Sequence, residues 1–163
     1  MGRTATLARI DVHTLAELRA LPNPELTLHD AFGFDDYEGP SDPWLRLELD
    51  KSWHGLHYLL TGEKYGFDTP LGAAIFGGER NEYEAHFLSS VEVARISHLL
   101  GALKDVDIKQ RLETWRPSGH EVYGVGDWSD PSVRAHYLRL FHELRQFYAD
   151  ASRRGASIVQ WNQ

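Results

Sequence analysis

The sequence contains no cysteine among its 163 residues. A chain without thiols has no disulfide framework, no thiolate ligand for zinc and no cysteine nucleophile. Thiol chemistry is therefore excluded, and this composition suits a reducing compartment, so we expect a cytoplasmic protein. A chain of this length can bury roughly two thirds of its unfolded surface without disulfides or metals. We therefore expect a single domain that spans residues 1–163.

Long apolar runs and an excess of positive charge are also missing. No stretch approaches the roughly 20 apolar residues of a membrane span, and the first residues lack the apolar run of a signal peptide. There are 17 Lys and Arg against 24 Asp and Glu, which gives a formal net charge of -7. Affinity for nucleic acid comes from neutralising phosphates with basic side chains. We therefore expect partners that are neither membranes nor nucleic acids.

The sequence lacks the common nucleotide and hydrolase motifs. Gly77 and Gly78 are paired glycines, but no Lys-Ser or Lys-Thr follows them, as a phosphate-binding loop requires. A G-x-S-x-G elbow, which would mark a serine nucleophile, is also missing. Nothing in the sequence implies a cofactor, and we expect none.

The most informative stretch is residues 45–62, with the sequence LRLELDKSWHGLHYLLTG. Its first part alternates apolar and charged residues, the period of two that is typical of a half-buried strand. Asp50 follows this strand, and a carboxylate at that point can accept hydrogen bonds from the first amides of a helix. The pattern therefore predicts Asp50 as an N-cap. The helix is predicted to end at Thr61, with Gly62 as its left-handed stop.

Two edges of this predicted helix differ in character. At about 100° per residue, Trp53 lies with three leucines on an arc that faces a core. Asp50, His54 and His57 lie along the neighbouring edge. These three residues are candidates for an acid–base pair or a metal site, because two imidazoles at i and i+3 can reach one ion. In the alternative structural interpretation, Asp50 is a cap, and His54 lies in solvent. His57 is then a packed histidine beside Trp53 that is hydrogen-bonded to the backbone and binds no metal.

A long loop is predicted at residues 28–43. This segment is rich in acidic, aromatic and turn-forming residues, including a run from Asp35 to Pro43. Long loops within a compact domain are commonly functional or disordered. An acidic and aromatic loop can present rigid rings to a partner, and a solvated insertion is the alternative.

A second loop is predicted at residues 115–130, where Gly and aromatic residues are frequent. The candidates that this loop carries are Trp115, His120, Glu121, Tyr123 and Trp128. Its aromatic rings either line a groove together with His120 and Glu121 or hold the loop to the body of the protein. We favour the pinning role slightly.

The remaining elements follow from caps and periodicity. Further strands are predicted at residues 4–12, 86–88 and 158–161, and further helix caps at Thr14, Ser89 and Asp130. The last helix has the strongest apolar period, and Leu140 and Leu144 lie on its apolar stripe. The order of elements is too irregular for a doubly wound sheet and too helical for a sandwich. We expect an α+β domain in which several helices pack on one small mixed sheet.

The run LELDKSWHGLHYLLTG, followed by PLGAAIFGG at residues 70–78, resembles the YfbM-like family (domain of unknown function 1877). Members of this bacterial family carry a comparable D-K-x-W-x-x-L-H-x-x-L-T-G stretch. The matching residues are Asp50, Lys51, Trp53, Leu56, His57, Leu60, Thr61 and Gly62. His54 lies outside the motif, and residues 28–43 depart from the compact family pattern. The resemblance covers most of the chain from Trp44 onward and implies the fold of that family, but no activity.

Two classes of function remain open. The leading one is a non-enzymatic binding or accessory protein, whose acidic surface and aromatic loops recognise a protein partner. The candidate binding residues are Trp53, His57, Trp115, Tyr123 and Trp128. The alternative is a small hydrolase or metal-assisted enzyme centred on Asp50 and His57, with His54 or His120 as a further member. We assign no catalytic residue and lean towards a protein that is not an enzyme.

Overall fold

The computed structural model describes residues 4–21, 45–80, 85–117 and 122–162. The strands in these ranges are β1 (Ala5–Ile10), β2 (Arg46–Asp50), β3 (Glu79–Arg80), β4 (His86–Leu88) and β5 (Ser157–Asn162). The helices are α1 (Val12–Ala20), α2 (Trp53–Thr61), α3 (Ala73–Phe76), α4 (Ser90–Ala102), α5 (Asp105–Thr114) and α6 (Pro131–Arg153). The insertion predicted at residues 28–43 lies outside the described residues.

The described strands form one sheet in the order β2-β1-β5-β4-β3. All of its pairings are antiparallel, so the sheet is not mixed as expected. Strand direction depends on where each connection crosses the sheet, and apolar patterns do not reveal this. The helices pack against this sheet, and the α+β class is confirmed.

The sheet is covered on both faces. Leu7 of β1 belongs to the main core, which also contains the buried side chains of α2 to α6. Ala8 points to the opposite face, where a smaller core contains Leu15 and Leu18 of α1. Successive side chains of a strand point to opposite faces, so a strand between two cores is apolar on both. This is why β1 shows only weak alternation in the sequence.

The apolar stripe predicted for the last helix is confirmed in α6. Its buried residues include Tyr137, Leu140, Phe141, Leu144, Phe147, Tyr148 and Ala151. Asp130 caps the helix as predicted, because its carboxylate accepts a hydrogen bond of 2.8 Å from the backbone N–H of Ser132. The helix stops before Gly155, which has a φ of 62°. Even this helix of 23 residues is not apolar enough to cross a membrane, and neither is any other helix described.

A buried carboxylate joins the end of α6 to β1. Asp150 accepts hydrogen bonds from Arg9 of β1 and from two arginines of its own helix end. The donor atoms Arg153 Nη2 and Arg154 Nε each lie 3.0 Å from a carboxylate oxygen. A charge can be buried when it is paired and hydrogen-bonded in this way. Asp150 thus connects the two ends of the described chain.

Two of the other predicted caps have different outcomes. Ser89 caps α4 as predicted, and it forms a capping box with Glu92. Thr14 does not cap α1, because Asp11 takes that position and accepts a hydrogen bond of 2.7 Å from the backbone N–H of Thr14. Asp11 follows β1 directly, so the helix begins as soon as the strand ends, three residues earlier than expected. A carboxylate there also suits the positive end of the helix.

Candidate functional site

A sharp turn joins β2 to α2 and corrects the predicted role of Asp50. Asp50 does not cap α2; it ends β2 with a backbone φ of 45°. Asp tolerates this left-handed conformation better than most residues do. The turn follows a β-bulge, at which the register between β1 and β2 shifts. Ser52 occupies the N-cap position instead, and its side chain makes no hydrogen bond to the helix.

His54 is buried, which corrects the interpretation that it lies in solvent. Its Nδ1 accepts a hydrogen bond of 2.9 Å from the backbone N–H of Tyr123. Nε2 must therefore carry the ring hydrogen, and it donates to the Lys64 carbonyl at 2.8 Å. Burial lowers the pKa of His54, in agreement with a neutral ring. With both nitrogens in use, His54 holds two loops together and has no free nitrogen for a metal.

His57 lies one turn further along α2 and is fully buried. Its ring packs on Phe67, with 4.2 Å between the ring centroids. Neither ring nitrogen has a partner of normal geometry among the described residues. A hydrogen bond with the Tyr65 backbone opposes the fall in the pKa of His57. Burial, followed by the neighbouring His54, lowers the pKa of His57 to about 4, so the ring is neutral at pH 7.

Aromatic rings surround His54 and reach the surface. Trp53 is half-buried and stacks on His54, with 4.8 Å between centroids and an interplanar angle of 12°. Tyr65 stacks on His54 at 6.2 Å, and Tyr123 lies 6.3 Å from Trp53. Tyr65 and Tyr123 are 63% and 39% exposed. We call Trp53, Tyr65 and Tyr123 the aromatic surface.

The other two predicted binding residues lie elsewhere, around Tyr58. Trp115 and Trp128 contact the Tyr58 ring at centroid distances of 5.6 and 5.9 Å. Trp128 is buried in the main core and does not present its ring to a partner. Trp115 is half-buried, and the guanidinium of Arg111 lies over it at 5.0 Å. These two rings hold the loop at residues 115–130 to the body of the protein, while Tyr123 extends from it.

A pocket of about 290 Å³ lies beside the first turn of α2. It is lined by Ser52, Gly124, Gly126, Ser132, Val133, His136 and Tyr137. Ser52 Oγ lies 2.9 Å from His136 Nε2, which resembles a nucleophile and its base. However, His136 Nδ1 lies 3.0 Å from Arg139 Nη2, which can only donate. Nε2 therefore carries the hydrogen and donates to Ser52, so His136 cannot take the proton of the serine in this arrangement.

The structure separates the predicted enzyme residues. Asp50 is exposed, and its negative charge opposes the lowering of the pKa of His136 by burial. His57 is enclosed with His54 among aromatic rings instead. The described residues include no group of three or more His, Asp or Glu side chains that could hold a metal. His120 and Glu121 lie outside the described residues.

Sequence reasoning missed Tyr65, Ser52, His136 and Tyr137. Tyr65 occurs in a connection rich in turn-forming residues, where no sequence pattern indicates whether a single ring is exposed. Ser52 and His136 are separated by 84 positions, so no local spacing relates them. Ser52 lies in the first turn of the helix that is predicted to follow Asp50, and this is the one signal that could have suggested an N-terminal site.

The fold and these sites belong to an α+β protein of a family without an assigned function. The family described as Domain of unknown function (DUF1877) matches residues 1–161, and the chain belongs to it. The predicted membership is thereby confirmed.

The fold is also found in a solved structure. YfbM from Escherichia coli, described as a protein of unknown function, is similar with a TM-score of 0.65 and 18% sequence identity. The similarity covers 96% of this chain and 98% of that chain. No curated protein matches the chain. At this low identity, the similarity to YfbM establishes the fold alone.

Proposed function

We propose that this protein is a non-enzymatic binding module of the cytoplasm, whose aromatic surface recognises a basic segment of a protein partner. The observation that carries the proposal is the pair of exposed rings, Tyr65 and Tyr123, on either side of the stacked Trp53 and His54. Tyrosine gives a large contact area at a low cost in conformational entropy.

The loops that carry these rings are fixed before any partner binds. His54 is hydrogen-bonded to the backbone of Lys64 and of Tyr123. Lys64 directly precedes the exposed ring of Tyr65, and Tyr123 carries the other exposed ring. A preorganised surface loses less entropy on binding than a mobile one. An apolar residue at position 54 could not make these two hydrogen bonds, which accounts for the buried, neutral histidine there.

The charge of the surroundings favours a basic segment. Glu63, Asp68 and Asp127 are exposed in the same two loops, and the whole chain has a net charge of -7. Lys64 Nζ lies 5.1 Å from the centroid of the Tyr65 ring, so this ring already takes part in one cation–π contact. A Lys or Arg of a partner can make the same contact with the aromatic surface.

The test is an array of peptides that vary in Lys and Arg content, probed with the purified protein. Basic peptides should bind, and their acidic counterparts should not. Replacing both tyrosines, Tyr65→Ala with Tyr123→Ala, should weaken the best peptide at least about tenfold, because buried aromatic contacts dominate interfaces. Val91→Ala on α4, where the side chain is 77% exposed, is the matched control and should leave affinity unchanged. Equal binding of acidic peptides, or equal loss in the control, would contradict the proposal.

A further inference from the structure

One of the two hydrogen bonds of the His54 ring depends on the charge of that ring. Nδ1 accepts a hydrogen bond of 2.9 Å from the backbone N–H of Tyr123, and Nε2 donates to the Lys64 carbonyl at 2.8 Å. The bond to Lys64 survives protonation, because Nε2 carries a hydrogen in the neutral and in the charged ring. The bond from Tyr123 exists only while Nδ1 is free of a proton. A second proton on His54 would therefore place two N–H donors against each other and break this bond.

The bond from Tyr123 holds residues 122–130, which we call the Tyr123 loop, in a closely fitted position. Gly124, the next residue, has a φ of 66°. A Cβ on Gly124 would lie 2.1 Å from the Lys51 carbonyl oxygen, so the loop lies directly against the backbone that precedes α2. In this position the Tyr123 ring is 6.3 Å from Trp53 and forms one side of the aromatic surface. The place of the exposed ring thus depends on a hydrogen bond that a proton can remove.

The surroundings of His54 disfavour the second proton while the loop is closed. Burial lowers the pKa of His54; the hydrogen bond to the Lys64 carbonyl opposes this effect, and the positive charge of Lys64 adds to it. If the loop opens, the ring gains water and returns towards its ordinary pKa of 6.5. Opening therefore takes up a proton below pH 6.5. Its equilibrium constant rises by up to about tenfold per pH unit, until the pKa of the closed state is reached.

The described elements packed against His54 bring several other titratable groups close to it. α2 contributes His57, with 6.4 Å between the two ring centroids, and its pKa of about 4 keeps it neutral from pH 7.5 to 5.5. The connection after α2 contributes Lys64 and Tyr65, and the Tyr123 loop contributes Tyr123. The carboxylates of this connection and of the loop are exposed, so water screens their attraction for a charged ring. They are Glu63, Asp68 and Asp127.

We propose that a second proton on His54 releases the Tyr123 loop from Trp53 and so removes one of the two exposed rings from the aromatic surface. Val122 and Trp128 are buried on either side of the segment that moves, so the segment can open while the core stays folded. The charged imidazole also repels a positive partner. Acid then releases a basic segment from the aromatic surface, a consequence that rests on the proposed function.

Amide hydrogen exchange of the free protein, measured by NMR from pH 7.5 to 5.5, tests the release. The exchange rate of the Tyr123 amide, divided by the intrinsic rate at each pH, should rise by up to about tenfold over this range. An unchanged ratio would overturn the proposal. The amide of Leu144, in α6, reports global unfolding and should exchange far more slowly at each pH. Equal protection of Tyr123 and Leu144 would also overturn the proposal, because the loop would then open only when the whole protein unfolds.

The ring nitrogens of His54 can be titrated by NMR in the same samples. Nuclear Overhauser contacts between the rings of Tyr123 and Trp53 should be present at pH 7.5 and should be lost to the extent that His54 gains its second proton. This measurement needs no variant. A doubly protonated His54 with these contacts intact would overturn the proposal.

His54→Asn is the matched variant, because an amide oxygen can take the place of Nδ1 as an acceptor but does not titrate. The exchange ratio at Tyr123 should then be constant from pH 7.5 to 5.5. His98→Asn, at an exposed position of α4, is the control and should keep the pH dependence of the parent. The full pH dependence in His54→Asn, with the fold intact by thermal melting, would overturn the assigned histidine.

Peptide binding separates the release of the loop from the proposed function. The best basic peptide should lose affinity between pH 7.5 and 5.5, and it should lose less in His54→Asn. Equal affinity at the two pH values would overturn the release of the partner. If no basic peptide binds at pH 7.5, the proposed function is wrong, whereas the exchange of the free protein still decides whether the loop opens.

Discussion

His57 is a neutral, fully buried histidine, and this makes stability depend on pH. Its pKa is lowered from 6.5 to about 4 in the folded state. Between these two values the unfolded chain binds more protons, so stability is fully present above pH 6.5 and is lost as the pH falls towards 4. The loss should be on the order of 3 kcal/mol, since each pH unit is worth about 1.4 kcal/mol. Urea denaturation from pH 7.5 to 4 measures it.

The matched variant is His57→Phe, which keeps a ring against Phe67 but cannot titrate. It should have a flatter stability profile than the parent, and at pH 7 it should be at least as stable, because two buried nitrogens that lack partners of normal geometry are removed. If the variant kept the full pH dependence, other groups would be responsible. His54 contributes in the same direction, because its pKa is also lowered by burial.

Asp50 has a left-handed backbone conformation, and its side chain does not cap α2. Asp50→Gly should therefore be neutral or slightly stabilising, whereas Asp50→Val should cost about 1 to 2 kcal/mol, because a branched side chain clashes in this conformation. Thermal or urea melts of the two variants measure the difference. If Gly and Val were equally destabilising, the side chain of Asp50 would matter more than its φ.

The sequence predicted which residues were special better than it predicted their partners. Asp50, His54 and His57 were all identified, but the left-handed turn at Asp50 depends on a bulge between two strands. His54 looked like a surface residue because its hydrogen-bond partner Tyr123 is 69 positions away. Local spacing carries no information about such contacts.

At the scale of elements, α6 is the main support of the core. Leu144 is fully buried in α6, so Leu144→Ala should lower the free energy of unfolding by about 2 to 5 kcal/mol through lost transfer energy and a cavity. Gln146→Ala changes an exposed residue of the same helix and should be within about 0.5 kcal/mol of the parent. Similar values for both variants would mean that the core relaxes around Leu144.

Helices were more predictable than the sheet. The start of α4 and the stripe of α6 rest on local caps and a period near 3.6, and both are confirmed. The sheet was expected to be mixed, but its described pairings are antiparallel. Strand direction is set by contacts between distant segments, which local patterns do not reveal. Even within α4, local sequence does not show which of two nearby valines is buried: Val91 is 77% exposed, while Val93 is buried.

At the scale of the whole molecule, Asp150 is a buried electrostatic link between distant parts of the chain. Asp150→Asn should cost about 3 kcal/mol or more, because the mostly buried Arg9 would lose its charged partner Asp150. Glu143→Gln, which breaks the more exposed pair with Arg139, should cost less than about 1 kcal/mol. Urea denaturation of both variants at pH 7 compares them, and equal losses would show that burial of Asp150 adds nothing to its pairing.

The position of β5 in the sheet has a consequence for biosynthesis. β5 is the last described strand to leave the ribosome, yet it lies between β1 and β4. Until it emerges, the described strands can pair only as β1 with β2 and as β4 with β3, and among these strands each pair has an unpaired edge that can bind other chains. Folding therefore depends on contacts of long sequence separation, which form slowly. The sheet can therefore be completed only after β5 has been synthesised, and a fragment that ends at Gly155 should aggregate.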